Sequence, residues 1–129
     1  MLNKVLCVDD DLITLMLCKK VIERVNYTKE IETAKNGEEA INYFKEIKNN
    51  NTNPPELVLL DLNMPIMNGW ELLDSYLDLE FNLLYPETKF IVLSSTIDPS
   101  DVEKSKSYPM VIDFISKPIT KEILNQLKL

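Results

Sequence analysis

Five polar residues in this chain stand directly after, or close after, short apolar runs. The adjacent acids Asp9 and Asp10 follow Val5-Leu6-Cys7-Val8, and Asp61 follows Leu57-Val58-Leu59-Leu60. Ser94 follows Phe90 to Leu93, and Lys117 comes just after Phe114-Ile115. A continuous apolar run of this length fits a strand buried on both faces of a parallel sheet. In such a sheet the carboxyl ends of all strands share one edge, and open α/β sheets bind ligands outside that edge. Topology alone therefore gathers carboxylates, a hydroxyl and an ammonium. Clustered carboxylates do not all stay ionised without a counter-charge. A hard divalent cation with oxygen ligands supplies one, and Mg²⁺ characteristically takes one or two carboxylates and keeps several waters. Lys117 adds a further positive charge and Ser94 a neutral donor. Together they make a site for a phosphoryl group, with an Asp as candidate nucleophile.

The elements that must position these groups alternate along the chain. Lys4–Val8 is expected as the first strand. A helix over Ile13–Val25 follows, with Leu15, Cys18, Ile22 and Val25 on its apolar stripe. Glu30–Ala34 reads as a short second strand, Asn36-Gly37 as a turn, and Glu38–Ile47 as a helix facing inward with Ala40, Ile41, Phe44 and Ile47. The Asn-rich stretch Asn49–Pro55 reads as a surface loop. The third strand is Leu57–Leu60, with a helix from about Asn68 to Leu79 that turns Trp70, Leu73 and Leu77 inward. Glu80–Glu87 reads as an extended helix end or a packed loop. Lys89–Leu93 is the fourth strand. Asp98-Pro99 opens a helix running to about Ser107, Asp as the cap and Pro at the first helical position. Met110–Ile115 is the fifth strand, and Thr120 caps a last helix that buries Ile123, Leu124 and Leu127. Strands alternating with helices imply an α/β fold, a parallel sheet covered on both faces. No linker is evident, so residues 1–129 are expected to form a single domain.

Composition narrows the function further. A hydrophobic share of 45% and a charged share of 27% are those of an ordinary globular protein. No apolar run approaches the roughly 20 residues that span a bilayer, so membrane insertion is not expected. The net charge of −7, without a basic block, disfavours direct nucleic-acid binding. The start Met1-Leu2-Asn3-Lys4 has no signal-peptide pattern, which points to the cytoplasm. Cys7 and Cys18 lack a CxxC spacing and the chain has no His, which argues against zinc; both are expected as buried, reduced thiols.

The combination of Val8-Asp9-Asp10, Asp61-Leu62-Asn63-Met64-Pro65-Ile66-Met67-Asn68-Gly69, Ser94 and Lys117-Pro118 resembles the receiver domain of two-component response regulators, over essentially the whole chain. The resemblance implies a flavodoxin-like (βα)5 three-layer sandwich with a parallel five-stranded sheet in the order 2-1-3-4-5. It implies a phosphorelay signalling protein, not an enzyme, that accepts a phosphoryl group on Asp61 from a sensor histidine kinase or a histidine phosphotransfer protein. In that reading Asp10, Asp61 and the backbone carbonyl of Asn63 ligate Mg²⁺, with Asp9 acting through a metal-bound water. Lys117 pairs with Asp61 and then with the phosphoryl group. Ser94 bonds the phosphoryl group and moves the following loop, and Phe114 follows that movement. A cis bond before Pro118 is expected. Output to a downstream protein would use the helix four, strand five, helix five face, and the start at Met1 suits a stand-alone receiver.

Asn68 stands where Asp is commoner in the family, Phe114 lacks the hydroxyl of a tyrosine, and Glu80–Glu87 is longer than usual. Asp11 is expected as a first-turn helix charge. The competing reading is a Mg²⁺-dependent phosphatase of haloacid-dehalogenase type, since Asp9-Asp10-Asp11 contains a D-x-D spacing. That reading leaves the loop around Asp61 without a purpose, and Ile13 stands where Thr or Val is usual.

Overall fold

The computed structural model describes residues 1–127. Its elements are β1 (Leu2–Val8), α1 (Leu12–Arg24), β2 (Thr28–Ala34), α2 (Gly37–Asn50), β3 (Leu57–Asp61), α3 (Gly69–Asp78), α4 (Phe81–Leu84), β4 (Lys89–Ser94), α5 (Pro99–Ser105), β5 (Val111–Ser116) and α6 (Lys121–Gln126). The strands form one five-stranded parallel sheet in the order β2-β1-β3-β4-β5. Central β3 is buried along its whole length, which is why its sequence runs apolar without alternation.

Successive side chains of the inner strands enter opposite layers. Leu6, Val8, Val58, Leu60 and Phe90 join Phe44 of α2 and Leu72, Leu73 and Tyr76 of α3. Val5, Cys7, Leu57, Leu59, Ile91 and Leu93 join Leu15, Cys18 and Ile22 of α1 and Leu124 of α6. The first layer is aromatic: Phe44 meets Tyr76 edge-on at 5.0 Å, and Tyr76 meets Phe90 at 4.9 Å between centroids.

Register brings the strand ends level. Val8 pairs with Leu60, Asp61 with Leu93, and Ser94 with Ser116. Asp9, Asp61, Ser94 and Lys117 thus emerge from neighbouring strands along one edge.

Several boundaries differ from expectation, each for a local reason. Asp11 is the N-cap of α1 rather than a first-turn charge; its side chain accepts from the Ile13 and Thr14 N–H groups. Strand β2 begins two residues earlier than Glu30, because Leu2 and Lys4 of β1 pair with Thr28 and Glu30. Asn36-Gly37 is not a free turn: Asn36 caps α2. Asn49 and Asn50 belong to the last turn of α2, which ends where Asn51 takes a left-handed conformation (φ 53) and donates to the Ile47 and Lys48 carbonyls. Glu80–Glu87 contains the separate helix α4, which follows a reversal at Glu80 (φ 60) and buries Phe81 in the aromatic layer. The expected fourth helix is therefore α5, and it ends at Ser105. Strand β5 is shifted one residue later than Met110–Ile115. Trp70 is only partly buried; it stacks on Tyr108 at 5.9 Å, with Lys104 Nζ 4.5 Å over its ring. The inward positions of α3 are Leu72, Leu73 and Tyr76, while Leu77 is partly buried.

Candidate functional site

The edge above β1 and β3 carries the acids. Oxygen atoms of Asp9, Asp10 and Asp61 all lie within 4.8 Å of one another; Asp9 and Asp61 are buried and Asp10 is exposed. Asp9 is tied on both sides. Its Oδ1 accepts the Asp11 N–H at 3.0 Å and its Oδ2 the Lys117 ammonium at 2.7 Å. Lys117 also lies 3.3 Å from Asp61 Oδ1. The lysine expected to pair with Asp61 thus sits closer to Asp9.

Burial, followed by the nearby Asp9 charge, pushes the Asp61 carboxyl above the usual aspartate value; Lys117 and the Asn63 N–H pull it only part of the way back. For Lys117, burial acts downward, but the Asp9 hydrogen bond and the charges of Asp61 and Asp9 outweigh it and raise its pKa. Among the described residues the cluster remains short of positive charge: one ammonium faces three carboxylates. That excess of hard oxygen donors, one of them exposed, fits a small divalent cation that keeps part of its water shell.

The loop after β3 is held from two sides. Gly69 N–H donates to the Leu62 carbonyl at 2.9 Å, and a Cβ on Gly69 would lie 2.7 Å from the Asp61 carbonyl oxygen. Gly37 N–H donates to the Met67 carbonyl at 2.8 Å, and a Cβ there would meet that same oxygen at 2.8 Å. These are the chain's two glycines, and both serve close backbone approach to this loop. Between them Ile66 has φ 69 and is bracketed by a Met67 N–H to Pro65 carbonyl bond of 2.7 Å, a γ-turn that a β-branched residue adopts only under strain. Asn68 closes the loop by capping α3 in a reciprocal pair with Glu71, so Asn performs the turn chemistry here. The sequence marks Gly37 as part of a turn but does not show its contact with the Met67 backbone or the positive φ of Ile66; the scarcity of glycine was the available clue.

Ser94 is buried at the end of β4. Its hydroxyl donates to the Thr96 carbonyl at 2.6 Å and accepts the Thr96 N–H at 3.3 Å. The Ser94 carbonyl accepts the Lys117 N–H at 2.8 Å, which joins the two strand ends. The Lys117-Pro118 peptide bond is cis. Asn63 is exposed, and its N–H donates weakly to Asp61 Oδ1 at 3.4 Å. Phe114 is half-buried on β5, beside Val102 and Ser105 of α5. The structure thus gathers Asp9, Asp10, Asp61 and Lys117 directly, places Ser94 on the same edge with its hydroxyl engaged by its own loop, and leaves Phe114 on the neighbouring face.

The model of the response regulator receiver domain matches residues 5–128. The chain belongs to the response regulator receiver domain family. A two-component response regulator from Cytophaga hutchinsonii has the same architecture, with a TM-score of 0.88 at 33% identity, covering 96% of this chain and 92% of that one. The CheX-CheY-BeF3-Mg²⁺ complex from Borrelia burgdorferi matches with a TM-score of 0.78 at 26% identity over 96% of this chain and 84% of that one. Among curated relatives, a protein-glutamate methylesterase/protein-glutamine glutaminase from Clostridium acetobutylicum is 29% identical over 127 residues, 97% of this chain. The chain spans about a third of that relative's length, 33%. Membership in this family, with the 2-1-3-4-5 sheet, leaves the haloacid-dehalogenase reading without support.

Proposed function

We propose that this receiver domain, over residues 1–129, accepts a phosphoryl group on Asp61 from a sensor histidine kinase or a histidine phosphotransfer protein. A carboxylate oxygen of Asp61 attacks phosphorus, the bond to the donor's leaving group breaks, and an acyl phosphate remains on Asp61. The observation that carries this reading is the shortage of positive charge around Asp61 among the described residues, a buried carboxyl of raised pKa beside Asp9, Asp10 and the Lys117 ammonium. Phosphoryl transfer needs little covalent help and much positioning and charge neutralisation.

Asp10, Asp61 and the Asn63 carbonyl would hold Mg²⁺ directly and Asp9 through water; the cation would neutralise charge on the transferring group. The Lys117 bond to Asp9 Oδ2 is consistent with this division, since it already occupies one Asp9 oxygen. Lys117 then shifts toward a phosphoryl oxygen. Ser94 exchanges its Thr96 acceptor for another phosphoryl oxygen, which frees the loop beyond β4. Phe114 takes up the movement, and a downstream protein reads the face made of α5, β5 and α6. The CheX-CheY-BeF3-Mg²⁺ complex supports the pairing of an anion with a divalent cation and a protein partner in this family. No helix among the described residues is long and apolar enough to cross a membrane, which suits the cytoplasmic location we propose.

The test is incubation with a small phosphodonor and Mg²⁺, read by intact mass. The parent gains one phosphoryl mass that hydroxylamine removes, and Asp61→Asn gains none. A hydroxylamine-stable adduct, or equal uptake by the Asn variant, moves the acceptor elsewhere.

A further inference from the structure

Behind the acid cluster, on the α1 side of the sheet, lie the chain's two cysteines. Cys7 of β1 and Cys18 of α1 point at each other with Sγ atoms 3.6 Å apart. Both are free and buried. Nothing in the phosphoryl chemistry uses them. Cys18 also lines an apolar cavity of about 400 Å³ with Leu17, Val21, Pro118 and Ile119, whereas Cys7 does not reach it.

We propose that Cys7 and Cys18 form an oxidant-responsive dithiol, with Cys18 the thiol oxidised first and Cys7 the thiol that resolves it. The oxidant class is a small hydroperoxide able to enter the cavity beside Cys18. The Cys18 sulfur attacks the terminal peroxide oxygen and the O–O bond breaks. The leaving oxygen departs with the thiol proton, as water when the oxidant is hydrogen peroxide, and Cys18 becomes a sulfenic acid. The Cys7 sulfur then attacks the Cys18 sulfur, the S–O bond breaks, and hydroxide leaves with the Cys7 proton as a second water. The thiols have lost two electrons to the peroxide, and a disulfide joins β1 to α1.

The contraction required is local. A disulfide brings its sulfurs to about 2.0 Å, so the pair closes by roughly 1.5 Å across one strand–helix contact. Asp9 lies two residues beyond Cys7, and its Oδ1 is held by the N–H of Asp11, the cap of α1. Oxidation therefore stiffens the joint from which the acid pair projects, and a thiol reductant reverses it.

The test exposes the fully reduced, folded protein to hydrogen peroxide, quenches with iodoacetamide, and reads intact mass and peptide maps. The parent should lose the mass of two hydrogen atoms, carry no alkyl group on either cysteine, remain monomeric, and recover both thiols with reductant. In Cys7→Ala, Cys18 should yield a sulfenic acid that dimedone captures. In Cys18→Ala, Cys7 should stay unmodified over the same exposure, because its path runs through Cys18. Far-UV circular dichroism confirms that each variant folds, and the parent result decides alone for any that does not. Two alkylatable thiols in treated parent, a linkage only between molecules, or faster oxidation of Cys18→Ala than of Cys7→Ala would overturn the proposal.

Discussion

Lys117 Nζ lies 2.7 Å from Asp9 Oδ2 but 3.3 Å from Asp61 Oδ1. The ammonium is anchored on the carboxylate that already accepts the Asp11 N–H, and it leans toward the one proposed to react. Asp61 keeps a raised proton affinity even with a cation nearby.

Lys117→Met removes the ammonium and retains the apolar stem. Asp9 and Asp61, 5% and 6% exposed, are then left as buried neighbours of like charge. Removing one partner of a buried pair costs about 3 kcal/mol. Urea unfolding at neutral pH should register that loss. Millimolar Mg²⁺ should return part of it by binding the folded state, and should return less in Lys117→Met,Asp10→Asn. An undiminished recovery in the double variant would take Asp10 out of the ligand set.

Asp61→Asn should stabilise the fold at neutral pH. The folded-state pKa of Asp61 is raised, so the folded state binds this proton more readily than the unfolded chain does. Ionisation therefore costs stability, in full above the folded pKa and not at all below the unfolded value of about 3.9. Removing the charge should gain on the order of 1 kcal/mol at pH 7, with the gain fading as pH falls into the unfolded carboxylate range. Lys117 retains Asp9 in this variant. Equal stability of parent and variant at pH 7 would mean that desolvation and the Asp9 charge are fully offset.

The loop after β3 makes opposite predictions at neighbouring positions. Gly69→Ala would set a Cβ 2.7 Å from the Asp61 carbonyl oxygen and 2.8 Å from Leu62 Cα, both backbone atoms that cannot swing aside. It should cost roughly 2 kcal/mol and slow phosphoryl uptake by displacing Asp61. Ile66→Gly removes a β-branched side chain from φ 69, where it is 73% exposed and gains little from packing. Relief of that strain should outweigh the added freedom of the unfolded chain and stabilise by about 0.5 kcal/mol. Chemical denaturation of the two variants beside the parent checks both signs.

Much of this arrangement is legible in the sequence because burial and topology leave it little freedom. Four apolar residues ending at Asp61 admit a central strand, and a parallel sheet then brings Asp9, Ser94 and Lys117 to the same edge without knowledge of any contact. Element ends are harder to read because one backbone choice settles them. Glu80 and Asn51 adopt positive φ without glycine, and the first of these separates α4 from α3. The extension of β2 to Thr28 depends on pairing with β1 rather than on its own alternation. Within the site, residue types show which groups meet but not how they divide their bonds. Lys117 is closer to Asp9 than to Asp61, and Ser94 turns to Thr96, because distances of a few tenths of an ångström and a hydroxyl rotor decide these matters.

Ser94→Ala tests whether the site's state leaves the site. In this arrangement the hydroxyl donates to the Thr96 carbonyl at 2.6 Å, so it can serve a phosphoryl oxygen only by releasing its own loop. Two exclusive acceptors for one proton make a two-state element that phosphorylation biases. The loop leads into α5, and Lys104 of α5 stands 4.5 Å over the ring of Trp70, the chain's single tryptophan. Indole emission therefore reports the position of α5 relative to α3. With phosphodonor and Mg²⁺, the parent should show both the phosphoryl mass and a change in Trp70 emission, with altered amide exchange in α5 and β5. Ser94→Ala should still gain the mass, at a stability cost of about 1 kcal/mol for the lost hydrogen bonds, while its emission and exchange stay near the unphosphorylated values. An equal emission change in phosphorylated Ser94→Ala would route the coupling through Lys117 and its backbone bond to the Ser94 carbonyl, which the substitution leaves in place.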